Sequence, residues 1–441
     1  MQRSAKSNCQ PCKYLFMKNY VAKTIVSFFV AAFLFLQQGC VKNDCDKTYT
    51  YTYYKPVYKT SDEVRANIKS NAPKPVINPG KIYLKDNYIF LNEVNKGIHV
   101  IDNTNPVNPK NIAFIDLPGN VDIAVKGNIL YADFYMDLVA MDIADPTQIV
   151  VKKIVDNVFA ERYYYGYQTN PGKIIIDWIK QTETVPCNCD GYNNNPVIAF
   201  SNSGMLYSSL DAGLSASPKA SPVGISGSLA RFALINDYLY SVSSDSLRVV
   251  STALPENPSR VNAVSLGFGI ETIFPFKDKL FIGSNNGMLI YSVQNAASPV
   301  KQGTFTHVRT CDPVIADDSI AYVTLHSGTR CTGFTNQLDV LDIKNVQSPQ
   351  LIKTYPLTSP KGLSKDGNLL FICDGNDGLK IFDATSALSI SMIKQLTIAD
   401  ANDVIAYNHI ALVIAKDGLY QYDYSNIAEV KLLSKIAVQN Q

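Results

Sequence analysis

Gly97-Ile98-His99-Val100-Ile101-Asp102 (GIHVID) decides the fold, because the chain writes the same kind of stretch six more times. Asp137–Asp142 (DLVAMD), Ser246–Ser251 (SLRVVS), Gly287–Ser292 (GMLIYS), Gln337–Asp342 (QLDVLD), Gly378–Asp383 (GLKIFD) and Gly418–Asp423 (GLYQYD) share its length, its apolar middle and its Asp or Ser end. Their last residues lie 40, 109, 41, 50, 41 and 40 apart, which is a period of about 41 interrupted by insertions of about 68 and 9 residues. Seven such units with those insertions fill about 364 residues, against the 362 from Gly80 to Gln441. Each stretch is preceded by a strand and a turn and followed by a Pro- or Asn-containing turn. The 3.6-residue stripes of a helical solenoid are missing. Within Gly378–Asp383, Leu379 and Ile381 point one way and Lys380 and Phe382 the other, which suits a strand packed on both faces by neighbours. The expectation is all-β: a closed-ring β-propeller, seven blades of about 41 residues, with one long insertion.

The Asp or Ser ending each stretch has a local explanation. Its side-chain oxygen can accept the backbone N–H two residues on, making an Asx-turn or its Ser equivalent. Five Asp and two Ser at that place therefore read as turn chemistry and not as a catalytic row.

Composition narrows the function classes. Of 441 residues 46% are hydrophobic, enough for a sizeable core. Lys+Arg 40 against Asp+Glu 38 leaves +2, with no basic footprint for nucleic acid and no acidic tail. Tyr is abundant (26) and Trp nearly absent (1).

The amino terminus reads as an address. Lys18 and Lys23 precede the apolar run Thr24–Leu36, whose 13 residues would cover roughly 20 Å as a helix, short of a bilayer core. The run ends in Gln37-Gln38-Gly39-Cys40. A small residue before Cys is similar to a bacterial lipoprotein cleavage site, with Gln37 where that site usually has leucine. The expected organisation is a signal peptide over 1–39, with Met17 an alternative start, and a lipidated tether over 40–79. The propeller follows over 80–441, with its insertion at about 156–229. Fatty chains on Cys40, palmitate among them, anchor more firmly than a single chain does. The tether carries one short helix, which Ser61 can cap, with Asp62 and Glu63 in its first turn and Ile68-Lys69 near its end. The expected location is the bacterial cell envelope, as an outer-membrane lipoprotein held to the membrane through its N-terminal lipid.

Gly97–Pro106 (GIHVIDNTNP), Gly287–Pro299 and Gly378–Asp383 resemble the LVIVD repeat of exported bacterial β-propellers. Tyr54–Gly80, and Cys311-Asp312-Pro313-Val314 with Tyr322-Val323-Thr324-Leu325, resemble the lipoprotein branch of that family. The resemblance covers roughly 54–441, with a gap at about 156–229. It implies fold and surface location, and no reaction, so it carries over no catalytic residue.

Site candidates come from the repeat register. Aligned on Phe90, Tyr131, Tyr240, Phe281, Tyr322, Phe371 and Leu412, each unit offers a charge nine or ten residues earlier: Lys81, Asp122, Arg231, Glu271, Asp312, Lys361 and Asp403. A ring of four acids and three bases at the mouth of a central channel suits a polar or zwitterionic ligand. The other reading is mutual neutralisation that merely hydrates the channel. An oxidising compartment makes Cys311–Cys331 a disulfide candidate that would pin the nine-residue insertion, at about 3 kcal/mol for a loop of this size. Cys187-x-Cys189 has no nearby His, and His99, His307, His326 and His409 show no ligand spacing, so neither metal nor cofactor is expected. Arg162-Tyr163-Tyr164-Tyr165-Gly166-Tyr167 and the strand-like Lys173–Gln181 with Trp178 fill the long insertion, as an interface or as cover for one blade. Cys373, inside an apolar strand, reads as a buried hydrophobe. The leading expectation is an envelope-anchored binding or scaffold module for an envelope protein or glycan. The alternative is a hydrolase or lyase acting on an extracellular glycan at the propeller mouth, with acids such as Glu271 and Asp312.

Overall fold

The computed structural model of the chain describes residues 48–159, 172–186, 225–307, 313–327 and 335–439. Seven antiparallel four-strand blades follow one another, each made of consecutive strands. The first strands of the blades are Pro79–Lys85, Ile123–Lys126, Phe232–Ile235, Ile270–Phe276, Val314–Ala316, Leu363–Asp366 and Ala401–Tyr407. Each touches the first strand of the next blade, and Pro79–Lys85 also meets Ile410–Ala415 of blade 7. That order closes a ring with the first strands innermost.

The strands that carry the sequence repeat are the second and third of each blade. They are buried on both faces because each blade packs between two others. Phe90, Tyr131, Tyr240, Phe281, Tyr322, Phe371 and Leu412, one per blade, are all buried at the centre of the second strands. The recurrent Gly that opens a third strand has its own cause. A Cβ on Gly287 would lie 2.0 Å from the Phe305 carbonyl oxygen, at a φ of +144° that side chains rarely adopt. Fourth strands are the outer edges, largely exposed, and carry Lys152, Lys153, Lys301, Lys394 and Lys431, charges that discourage edge-to-edge pairing.

Among the described residues, no strand is exchanged between the first and last blades. Side chains and one backbone bond close the ring: Val76, Ile82, Leu91, Ile405, Leu412 and Ile414 share one apolar cluster, and the Gln439 N–H donates to the Val76 carbonyl at 2.8 Å. Gln421 Nε2 donates to Asn103 Oδ1 at 2.7 Å, and Ser434 Oγ to the Pro106 carbonyl at 2.7 Å.

Among the described residues, blade 1 alone is widened on both sides. Ile225–Ser226 pairs with its inner strand and Lys69–Asn71 with its outer strand, making a six-stranded sheet. The described part of the long insertion therefore supplies no eighth blade. Its other strand, Lys173–Pro186, pairs with Thr48–Thr60 in a two-stranded ribbon. The chain divides into two compact units, 1–54 with 180–201 and 55–179 with 202–441. In the first, Thr50 and Thr52 face Thr184 and Thr182, while the Tyr51 and Tyr53 hydroxyls donate to Glu183 and Gln181.

The tether departs from the sequence expectation in three ways. Residues 48–60 are a strand, and the helix, Ser61–Arg65, is capped by Thr60, not by Ser61. Thr60 Oγ1 accepts the Glu63 N–H while the Glu63 carboxylate accepts the Thr60 N–H at 2.8 Å, a reciprocal capping box that satisfies two otherwise orphaned donors. The helix stops at Arg65, before Ile68.

Candidate functional site

Antiparallel strands alternate direction, so the two ends of the ring carry different connections. At one end lie the first-to-second and third-to-fourth strand turns; at the other lie the second-to-third loops and the links between blades. The first end is uniform. Asp102, Asp142, Asp342, Asp383 and Asp423 each accept the N–H two residues on at 2.8–2.9 Å, and Ser251 and Ser292 do so at 3.3–3.4 Å. Hydroxyl and amide donors on Thr104 hold Asp102 below the usual carboxylate range, and those on Thr385 do the same for Asp383. These loops also join neighbouring blades: Tyr131 OH donates to the Pro255 carbonyl at 2.9 Å and Tyr240 OH to that of Ala296 at 2.8 Å.

Every departure from the repeat leaves the other end: the tether, the long insertion between blades 2 and 3, and the widened loop of blade 5. The charges aligned along the inner strands sit at this end. Lys81 and Asp122 are 2% and 3% exposed, and Lys81 Nζ donates to Asp122 Oδ2 at 2.8 Å. The same oxygen accepts the backbone N–H groups of Arg231 and Phe232, so Asp122 of blade 2 ties blade 1 to blade 3. Burial holds the Lys81 ammonium below the ordinary lysine range, with Asp122 opposing that shift. Lys361 turns to Asp400 at 2.8 Å, while Asp403 is buried and accepts the Val404 N–H at 3.0 Å. Arg231 and Glu271 are half-buried. Asp312, Cys311, Cys331 and Cys40 lie outside the described residues, as do Cys187, Cys189 and Arg162–Tyr167. Cys373 is fully buried, and burial pushes its thiol well up.

The sequence reading missed the polar support behind this ring. Asp133 Oδ1 accepts N–H bonds from Val121 and Asp122 at 2.8 Å and from Asn120 Nδ2 at 2.9 Å, and Asn92 Nδ2 donates to Asn120 Oδ1 at 2.7 Å. Asn92 and Asp133 are polar residues near the ends of mostly apolar strands, and that was the available signal.

The end of the insertion crosses the ring axis. Ile225–Ser226 lies along blade 1, and Ser228 Oγ accepts the Leu363 N–H of blade 6 at 3.2 Å. The Ala230 carbonyl accepts the Ile273 N–H of blade 4 at 2.9 Å, just before the chain enters blade 3. Six residues that reach the inner strands of blades 1, 4 and 6 must lie across the middle. Ser228, Leu229 and Ala230 are correspondingly buried.

A cleft of about 350 Å³ opens beside blade 1, lined by Lys59, Val64, Asn67, Lys69, Asn71, Asp116, Pro118 and Ile176. Six of these come from the tether and the insertion. Arg65, bonded to Asp137 and Asp156 of blade 2 at 2.5 Å, fixes the helix that forms one wall. Tyr135 OH donates to the Ile175 carbonyl at 3.0 Å and Lys96 pairs with Asp177 at 2.8 Å, which fixes the strand bearing Ile176. Asp116 is engaged by Lys74 and Asn71 Nδ2, both at 2.6 Å. The Thr60 N–H and hydroxyl, with the Lys59 charge beside them, hold the Glu63 carboxyl below its usual range, and Lys69 stands opposite Asp116 across the strand pair. No group of His, Cys, Asp and Glu among the described residues could hold a metal ion.

Among comparisons with known proteins, the LVIVD repeat model matches residues 119–157, which bracket blade 2. None of the curated proteins matches the chain in sequence. Among solved structures, a computationally designed protein, Ika8, is 10% identical over 82% of this chain and 88% of its own, with a TM-score of 0.49. Sqt1 of Saccharomyces cerevisiae is 9% identical over 88% of this chain and 89% of its own, also at 0.49. A functionally unknown protein from Desulfotomaculum acetoxidans is 11% identical over 82% of this chain and all of its own, at 0.46. Residues 119–157 thus match the LVIVD repeat, and the chain is a seven-bladed β-propeller whose other six blades keep the same four-stranded unit.

Proposed function

We propose that this protein is an envelope-anchored lipoprotein, acylated at Cys40, that works as a binding or scaffold module through the irregular end of its propeller. One observation carries the reading: every segment that departs from the repeat leaves that end, while the opposite end keeps seven near-identical turns. Rigid scaffolds present recognition on variable loops. The axis is crossed by the chain itself, and the Lys81 and Asp122 charges are engaged in joining blades, so the recognition surface lies around the axis and not within it. A Cys311–Cys331 disulfide belongs to the same proposal. The loops that carry the two cysteines leave neighbouring strand ends, next to the Val314–Val323 pair.

The test is crosslinking on intact cells, followed by mass spectrometry of bound protein and glycan. It compares the full chain, a chain lacking 160–224 and a Cys40→Ser variant. A discrete partner recovered with the full chain and lost with the deletion supports the reading, as does release of the Cys40→Ser protein from the membrane. Equal recovery with and without the insertion, or membrane retention without Cys40, overturns it.

A further inference from the structure

We infer that the last part of the tether, residues 69–78, is a proton-operated strap over blade 1: a proton taken up by the buried His99 frees the middle of the strap in mildly acidic surroundings. The inference goes beyond the binding-module reading and depends on neither a partner nor the anchor.

The strap is held at three places. Lys69–Asn71 pairs with the outer strand of the blade, where Asn71 Nδ2 donates to Asp116 at 2.6 Å. In the middle, the Lys74 carbonyl accepts Asn111 Nδ2 at 2.8 Å, while the Lys74 ammonium pairs with Asp116 at 2.6 Å and lies 4.2 Å from the Phe114 ring centre. Farther on, Val76 is buried in the seam with blade 7, and the Ile77 and Asn78 N–H groups donate to the Glu93 carboxylate at 3.1 and 2.5 Å. His99, fully buried, touches the residues that make the last two holds. Its Nε2 lies 3.0 Å from Glu93 Oε2 and its Nδ1 3.3 Å from Asn111 Nδ2, and its ring is set edgewise to that of Phe114 at 4.8 Å.

These contacts fit one protonation state. A carboxamide nitrogen only donates, so Nδ1 is the acceptor and the neutral ring carries its proton on Nε2, donated to Glu93. A second proton, taken from solvent, must go to Nδ1, where it points at the Asn111 donor. Turning the Asn111 carboxamide over removes that clash and gives its Oδ1, buried without a partner, a donor in the imidazolium. The same turn takes Nδ2 from the Lys74 carbonyl and sets an oxygen against it. The imidazolium also shares the Phe114 ring with the Lys74 ammonium, which adds a like charge beside the same hold. The other charges near His99 are Glu93 on the second strand and Asp116 on the fourth, beyond Phe114. Lys96 in the adjoining loop is paired with Asp177, and Asp417 of blade 7 with Lys435. Leu412, Ile414 and Leu419, the blade 7 residues of the shared cluster, are apolar. A charged His99 therefore keeps its bond to Glu93 and loses the middle hold. Histidine is the side chain whose ordinary titration falls between about pH 5 and 8. Release uncovers the Phe114–Asp116 edge and withdraws Lys69 and Asn71 from the cleft beside blade 1.

The experiment is hydrogen exchange of the detergent-solubilised full chain at about pH 7.5 and about pH 5.5, read by mass spectrometry and corrected for the pH dependence of the chemical step. Acidification should lower the protection of the amides of residues 69–74 about fivefold, the size expected for one neutral hydrogen bond. Lys279–Ser284 of blade 4 is the control and should not change. His99→Gln should leave the strap equally protected at both pH values. Asn111→Ala should show at the higher pH the exchange that the parent shows at the lower. A parent strap protected alike at both values overturns the inference, as does an acid loss that survives in His99→Gln. Thermal unfolding at the higher pH shows whether each variant keeps its fold. Were His99→Gln to unfold, carbon-13 NMR of labelled histidine in the parent decides: His99 must gain its proton over the range in which the strap opens, and a ring still neutral when the strap is open overturns the inference. No arm involves a partner, so this inference and the binding module stand or fall separately.

Discussion

At one end of the propeller, five Asp and two Ser make the same turn in seven blades; from the other leave the tether, the long insertion and the widened loop of blade 5. The difference follows from what each end must do. A third-to-fourth strand loop is also a docking surface for its neighbour: Tyr131 of blade 2 bonds to Pro255 of blade 3, and Tyr240 of blade 3 to Ala296 of blade 4. A change of length there would separate two blades, which keeps the loops uniform. Links at the opposite end have to satisfy only their inner roots, as Asp122 does, and above those roots the chain is free to add a tether, a strand across the axis and a cleft. Uniformity is thus a packing requirement, and irregularity marks where packing makes no demand.

The largest effect should come from the root of the irregular end. Asp122→Ala would leave the Lys81 ammonium buried without its counter-ion and two backbone N–H groups without an acceptor. Breaking a buried pair in that way costs about 3–5 kcal/mol. Chemical denaturation should show it, and replacing both partners, Lys81→Met with Asp122→Leu, should be milder than the single change. A single mutant as stable as the parent would mean that these charges are hydrated and not structural, and the contrast between root and loop would fail. At the uniform end, Tyr131→Phe removes one hydroxyl from one blade-to-blade bond and should cost about 1 kcal/mol. No measurable loss there would remove the packing explanation for uniform loops.

What the sequence revealed follows the same division. The second and third strands are buried on both faces by identical neighbours, so their pattern is strong and the period could be counted. The inner charges could be placed by register, since Lys81 and Asp122 stand at corresponding places in adjacent blades. That they bond to each other required the ring itself. Lys59, Lys69 and Ile176 could not have been grouped, because the cleft forms only when two non-repeating segments dock on blade 1. The Thr60 cap was legible in principle: Thr60 and Glu63 are three apart, the spacing of a capping box, and Ser61 was the less suited of two adjacent hydroxyl residues.

The smallest effect tests the turn chemistry directly. If the strand-end residue is only an acceptor for the N–H two positions on, Asp and Ser are interchangeable there, as the native Ser251 and Ser292 indicate. Asp383→Ser should change the thermal midpoint at pH 7 by at most about 1–2 °C, whereas Asp383→Ala, with no acceptor, should lower it further. Acid separates Asp from Ser. Asp102 and Asp383 are held below 3.8 by their threonines, Asp142 by the Ala144 N–H and Lys152, and Asp423 by Ser425. A carboxylate depressed on folding contributes its stability above the unfolded value near 4, and loses it as pH falls through the lower folded value. Stability should therefore decline from about pH 4 downwards, and serine at all four places should flatten that decline while leaving the neutral plateau in place. If Asp383→Ser behaves like Asp383→Ala at neutral pH, the charge itself is needed, and the five Asp are more than turn formers.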